Sequence, residues 1–143
     1  MFVFGEGPMS NRTLSLIVSA VVIAAAAVRP ALSADSSGWS KGGSTQKFAA
    51  DRARINAKGE RFRITGHCQS ACTMFLAAKK VCVEPSATLL FHAGNDATAT
   101  KRMLDSYKPA LRSYLIANKI METKTFTTIS GSTIISRFGY PRC

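Results

Sequence analysis

Acidic side chains are scarce in this chain: 8 aspartates and glutamates face 19 lysines and arginines, for a formal charge of +11 over 143 residues. Such a surface favours anionic partners. No aromatic residues are interleaved with the basic ones, which argues against a nucleic-acid surface. The densest basic stretch, Arg52, Arg54, Lys58, Arg61 and Arg63, reads as the solvated faces of a helix and a strand. There is no Cys-x-x-Cys pair. His67, Cys68, Cys72, Cys82 and His92 carry ligand-type atoms, but their spacing is not that of a structural zinc site, so neither metal nor other cofactor is expected. No internal repeat divides the chain, and no uncharged run reaches the roughly 20 residues that cross a bilayer.

What is present begins with an uncharged run of fifteen residues, 14–28. Arg12 precedes it, and Arg29-Pro30-Ala31-Leu32-Ser33-Ala34 follows with small residues suited to processing after Ala34. This is the pattern of a secretory signal. It is too short for an anchor, and Pro30 would break a spanning helix. The residues before Met9 fit no basic leader segment, which leaves Met1 and Met9 as alternative starts. The chain therefore divides into a signal at 1–34 and one domain at 35–143, placed in the periplasm or outside the cell. Processing removes Arg12, Arg29 and Glu6, leaving 17 basic against 7 acidic residues and a net charge near +10. Cys68, Cys72, Cys82 and Cys143 all lie in the domain. In an oxidising compartment they imply two disulfides, with three pairings open.

Along the domain, residues 35–44 are rich in Ser and Gly and read as a loop. Phe48, Ala49, Arg52 and Ile55 recur at helical spacing over Thr45–Lys58, which Gly59 closes. Residues 61–65 alternate charged and apolar, a strand with Phe62 and Ile64 inward. After a turn at 66–69, residues 70–80 form a second helix starting at Ser70, with Met74, Phe75 and Ala78 on one face. Strands are expected at Val81–Val83 and 88–92, then a loop over 93–100. Residues 101–119 carry a helical stripe of Leu104, Tyr107, Leu111, Tyr114 and Leu115, kinked or split at Pro109. The tail at 123–143 reads as short extended pieces around turns. Helices alternating with strands indicate an α/β domain with parallel neighbours.

Ser70 at a helix start and His92 at a strand end form the pair with chemical content. The serine hydroxyl sits at the positive end of a helix dipole, the Ala71 amide is free to bind an oxyanion, and His92 is placed to serve as base. The run Gly42-Gly43, then Phe62-Arg63-Ile64-Thr65-Gly66-His67-Cys68-Gln69-Ser70-Ala71-Cys72, then Val81-Cys82-Val83-Glu84-Pro85-Ser86 and Leu90-Phe91-His92 resembles the ClpP-like serine peptidases of the ClpP/crotonase fold. More narrowly, it is similar to small secreted bacterial ClpP-like proteins with a Cys-x-Ser-Ala-Cys-Thr block and a Tyr-Pro-x-Cys end, here Tyr140-Pro141-Arg142-Cys143.

The resemblance implies a shortened ClpP/crotonase-like α/β fold with short parallel strands and flanking helices. It implies Ser70 as nucleophile, His92 as general base, and Gly42, Gly43 and the Ala71 amide as oxyanion hole. The sequence departs from the family in three ways. Cys72 stands where ClpP has Gly, no acidic residue lies between Lys124 and Cys143 to complete a triad, and no strands are expected before the Gly-Gly loop. Ser130 or Ser132 is the nearest substitute for the acid. Two functions follow. One is an exported serine hydrolase of peptidase type, using a Ser70–His92 dyad on a peptide or protein, without an ATPase partner. The other is a non-enzymatic, disulfide-stabilised cationic module that binds an anionic envelope surface. Whether the chain is an enzyme is left open at this stage.

Overall fold

Two three-stranded sheets of short strands frame a single buried helical segment. The computed structural model describes residues 34–143. The expected signal at 1–34 therefore lies outside the described residues except for Ala34. That residue opens β1, Ala34–Asp35, which runs parallel to β2, Phe62–Ile64. A short strand thus precedes the Gly-Gly loop, where none was expected. A 3₁₀ turn at Ser36–Trp39 then replaces the first part of the expected loop, with the Asp35 carboxylate accepting from the Ser37 amide.

Helix α1, Thr45–Lys58, has the expected bounds. The Ser44 hydroxyl accepts from the Lys47 amide at its start, and Gly59 closes it at φ 66°, a left-handed turn that glycine adopts without a steric penalty. β3, His67–Gln69, forms where a turn was expected, because its backbone pairs in parallel with β5, Thr88–Phe91. Between them run the 3₁₀ helix Ser70–Ala77 and β4, Val81–Val83, which is parallel to β2. The first sheet is ordered β1-β2-β4. The second is ordered β3-β5-β6, with β6, Thr127–Ser130, antiparallel to β5. The domain is mixed α/β, with parallel neighbours everywhere except at β6.

Pro109 splits the third helical region as expected, into α2 at Ala97–Leu104 and α3 at Pro109–Ala117. The proline occupies the first position of α3, where its missing N–H costs nothing. α2 starts inside the expected loop because the Asp96 carboxylate accepts from the Ala99 amide and caps it. The tail is not merely extended. After β6 it folds into α4, Gly131–Phe138, capped by Ser130 and closed by Gly139 at φ 70°. A side chain at Gly131 would meet the Glu84 carbonyl at 2.0 Å, so only glycine lets α4 approach this closely.

The core is centred on the 3₁₀ helix, whose residues Ala71 to Leu76 are all buried. The expected one-sided stripe is instead buried all round, because the helix is wrapped by α1, α2 and both sheets. Phe62 and Phe75 stack at 4.3 Å, and Trp39 meets both edge-on at 5.9 and 5.4 Å. Each fully buried side chain of this size contributes about 1.5–3 kcal/mol. Asp51, 3 % exposed, accepts from Trp39 Nε1 at 3.0 Å and from Lys47 and Arg54. These bonds hold its carboxyl down at about 2.

Of the three pairings open in the sequence, the cysteines adopt Cys68–Cys72 and Cys82–Cys143. Among the described residues, no helix is long and apolar enough to cross a membrane.

Candidate functional site

The chain enters the site through Ser70, which joins β3 directly to the 3₁₀ helix with no intervening loop. That junction is so sharp that Ser70 takes φ +56°, a left-handed conformation that costs a non-glycine residue about 1–2 kcal/mol. Three constraints hold it there. The Cys68–Cys72 disulfide closes around it. Its carbonyl accepts the Thr73 hydroxyl at 2.7 Å, and Thr73 Oγ1 in turn bonds the buried Tyr107 hydroxyl at 2.6 Å. A serine in a strained strand-to-helix turn points its Oγ outward, and Ser70 Oγ makes no hydrogen bond with the described residues. Thr73 and Tyr107 were not singled out by sequence. The threonine directly after Cys72 is legible only as the end of the Cys-x-Ser-Ala-Cys-Thr block, and the tyrosine only as part of a core stripe.

The Gly42-Gly43 segment lies directly against this turn. A β-carbon on Gly42 would come 2.8 Å from Ser70 Cβ and 3.2 Å from the Ala71 nitrogen. Both glycines take positive φ, 73° and 147°. The approach is secured by the Gln69 amide on the Ser40 carbonyl at 2.9 Å and by Gln69 Nε2 on the Lys41 carbonyl at 3.0 Å. The Ala71 amide is at the second position of the helix, with no helical carbonyl behind it, and no side chain caps that end.

His92 follows β5, and its ring packs edge-on against Phe126 at 4.6 Å. Both ring nitrogens are buried and have no hydrogen-bond partner among the described residues. Burial, helped by the nearby Lys124 ammonium, pushes the imidazole below its ordinary value. Among the described residues, no carboxylate orients the ring. Ser130 does not substitute for one: its Oγ accepts from the Thr133 amide at 3.2 Å and bonds Ser132 Oγ at 2.9 Å, so both serines are committed to the start of α4.

Ser70, His92 and Gly43 line one cleft of about 530 Å³. Its far wall is made by Ser44, Thr45 and Gln46 at the start of α1, by Gly94, Asp96, Thr98 and Ala99 around the start of α2, and by Arg102. Ala71 is fully buried behind the serine. Sequence-predicted Ser70, His92 and Gly43 thus meet at one opening, backed by Gly42 and Ala71, although Ser70 Oγ and the His92 ring are not hydrogen-bonded to each other. The metal alternative is accounted for differently. All four cysteine sulfurs are spent in disulfides, and His67 Nε2 bonds Gln69 Oε1 at 2.8 Å. No family model matches the chain, and no curated protein matches it.

Proposed function

We propose that this domain is an exported serine hydrolase of ClpP-like type, in which Ser70 attacks an acyl carbon. The observation that carries the reading is Ser70 itself: a serine forced to φ +56° at a strand-to-helix turn, opening into a cleft also lined by a histidine whose ring nitrogens have no partner among the described residues. In this mechanism His92 takes the hydroxyl proton as Oγ bonds to the carbonyl carbon. The oxyanion is received by the Ala71 amide and the Gly42-Gly43 backbone, and the imidazolium then returns the proton to the leaving group. Without a carboxylate behind His92, and with Lys124 nearby, that imidazolium is poorly stabilised. The loss of a triad aspartate costs about ten-thousand-fold in turnover, so the enzyme is expected to be slow and is best detected by single-turnover labelling. The two disulfides suit an oxidising compartment, in keeping with secretion or the periplasm.

A fluorophosphonate probe is therefore expected to label the purified domain on Ser70, and Ser70→Ala to abolish the label. A folded protein that is never labelled rejects the proposal. Because the active base is neutral imidazole and its pKa is lowered, the labelling rate should hold to below the ordinary midpoint near pH 6.5 and fall only at more acidic pH. Lys124→Ala removes a neighbouring cation and should move that midpoint upward; a midpoint unmoved, or moved down, contradicts the electrostatic account.

A second reading, a non-enzymatic cationic module on an anionic envelope surface, is favoured by the small number of ion pairs. Only five form among the described residues. Salt-sensitive adhesion to anionic vesicles, retained in Ser70→Ala, would support it.

A further inference from the structure

Arg102 lines the wall of the serine's cleft and has no carboxylate partner among the described residues. It is partly buried, and its Nη1 donates to Thr45 Oγ1 at 2.8 Å, which ties the guanidinium, carried by the last turn of α2, to the start of α1. Its Nε and Nη2 make no hydrogen bond with the described residues. This Nε/Nη2 edge presents two parallel donors, the geometry that receives the two oxygens of a carboxylate. Asp96, the acidic residue on the same wall, forms no ion pair with it and instead accepts from the Ala99 amide through Oδ1. On the other side, Lys124 Nζ donates to the Gly94 carbonyl and adds positive charge near the cleft. Every other arginine in this part of the fold is occupied. Arg52 bonds the Met74 carbonyl and Ser106 Oγ, while Arg112 bonds the Leu104 and Tyr107 carbonyls.

We infer that Arg102 is a specificity-determining residue that binds a substrate carboxylate, so that the acyl donors of this enzyme are anionic. The inference deepens the hydrolase reading and rests on it for the chemical step, but not for the binding. The Nε/Nη2 edge is not sealed inside the protein, since the unpartnered side-chain nitrogens that are buried among the described residues are those of His92. An anion entering the cleft can therefore reach this edge, and a charge-assisted bidentate pair is among the stronger polar contacts available.

Two arms test this. In the first, kcat/KM is compared for mono-4-nitrophenyl adipate and for 4-nitrophenyl hexanoate, which has the same chain length without the carboxylate. The native protein should prefer the adipate, and Arg102→Gln should lower the adipate-to-hexanoate ratio about tenfold or more, with Arg102→Lys intermediate. A ratio that Arg102→Gln leaves unchanged overturns the assignment. In the second arm, Ser70→Ala protein labelled with ¹⁵N is titrated with monomethyl adipate and with the neutral dimethyl ester. Saturable shifts at Arg102 Nε, Gly94 and Ala99 with the monoester alone, lost in Arg102→Gln, are the expected result. Absence of saturation, or equal shifts with the neutral ester, overturns it. If neither ester turns over and the fluorophosphonate fails to label, the nucleophile reading has failed, and the titration alone decides for or against the carboxylate site.

Discussion

Replacing Gly42 by alanine is expected to slow fluorophosphonate labelling of Ser70 about a hundredfold or more while leaving the domain folded. Two effects converge. At φ 73° an alanine pays the left-handed penalty, about 1 kcal/mol, and its β-carbon would sit 2.7 Å from the Gln69 carbonyl and 2.8 Å from Ser70 Cβ. Both contacts are with backbone or with the stem of the Ser70 side chain, so relief must come from moving the loop away from the turn or the turn away from the cleft. A displacement of the order of 1 Å at a reacting centre costs about a hundredfold, and loss of an oxyanion donor about as much. Gly38→Ala is the matched control, since a β-carbon there has nothing within 4 Å. It should label at the native rate. Equal rates for both variants would show that the Gly-Gly segment has no part in the site.

Removing the Cys82–Cys143 bridge by double alanine substitution is expected to cost about 4 kcal/mol and to lower the thermal midpoint by about 15 °C. The bridge closes a loop of 61 residues in sequence separation, so the unfolded chain gains much freedom when it is cut. The Cys68–Cys72 bridge spans a separation of only 4, and its loss should cost about 2 kcal/mol by the same reasoning. The two variants separate stability from chemistry. The long bridge should govern the melting temperature and leave labelling of folded protein near native. The short one should weaken labelling more than its thermal effect accounts for, because it holds the turn that carries Ser70. Thermal denaturation followed by circular dichroism, with labelling measured well below each midpoint, distinguishes these patterns. A double variant at Cys82 and Cys143 that melts at the native temperature would contradict the loop-closure account.

The elements that could be read from sequence are those whose signal is local. Helix α1 was legible to the residue because Phe48 and Ile55 repeat at helical spacing and Gly59 supplies the left-handed stop. β2 was legible because Phe62 and Ile64, both fully buried, alternate with charged neighbours. β3 was not, because His67, Cys68 and Gln69 carry no strand signal of their own and become extended only through long-range pairing with β5. α4 was missed because Thr133, Ile134 and Ile135 favour strand, and packing of Gly131 against the Glu84 carbonyl overrides that preference. In the site, residue types were legible but states were not. Sequence gave no warning that Ser70 adopts a left-handed φ or that a Thr73–Tyr107 pair holds its carbonyl. Nor could the serine-for-acid substitution be judged until Ser130 was seen spent on a helix cap.

The segment Pro141 to Cys143 has a consequence beyond thermal stability. Val83 donates its amide to the Pro141 carbonyl at 2.8 Å and accepts from the Cys143 amide at 3.0 Å, in a parallel bridge with Arg142. These three residues therefore cover the outer edge of β4, and the disulfide from Cys82 rivets the cover in place. A bare strand edge is a template for pairing with other chains. Reduction of this one bond is thus a route to aggregation as well as to unfolding, and expression in a reducing cytosol should yield insoluble protein even at temperatures where the fold itself survives.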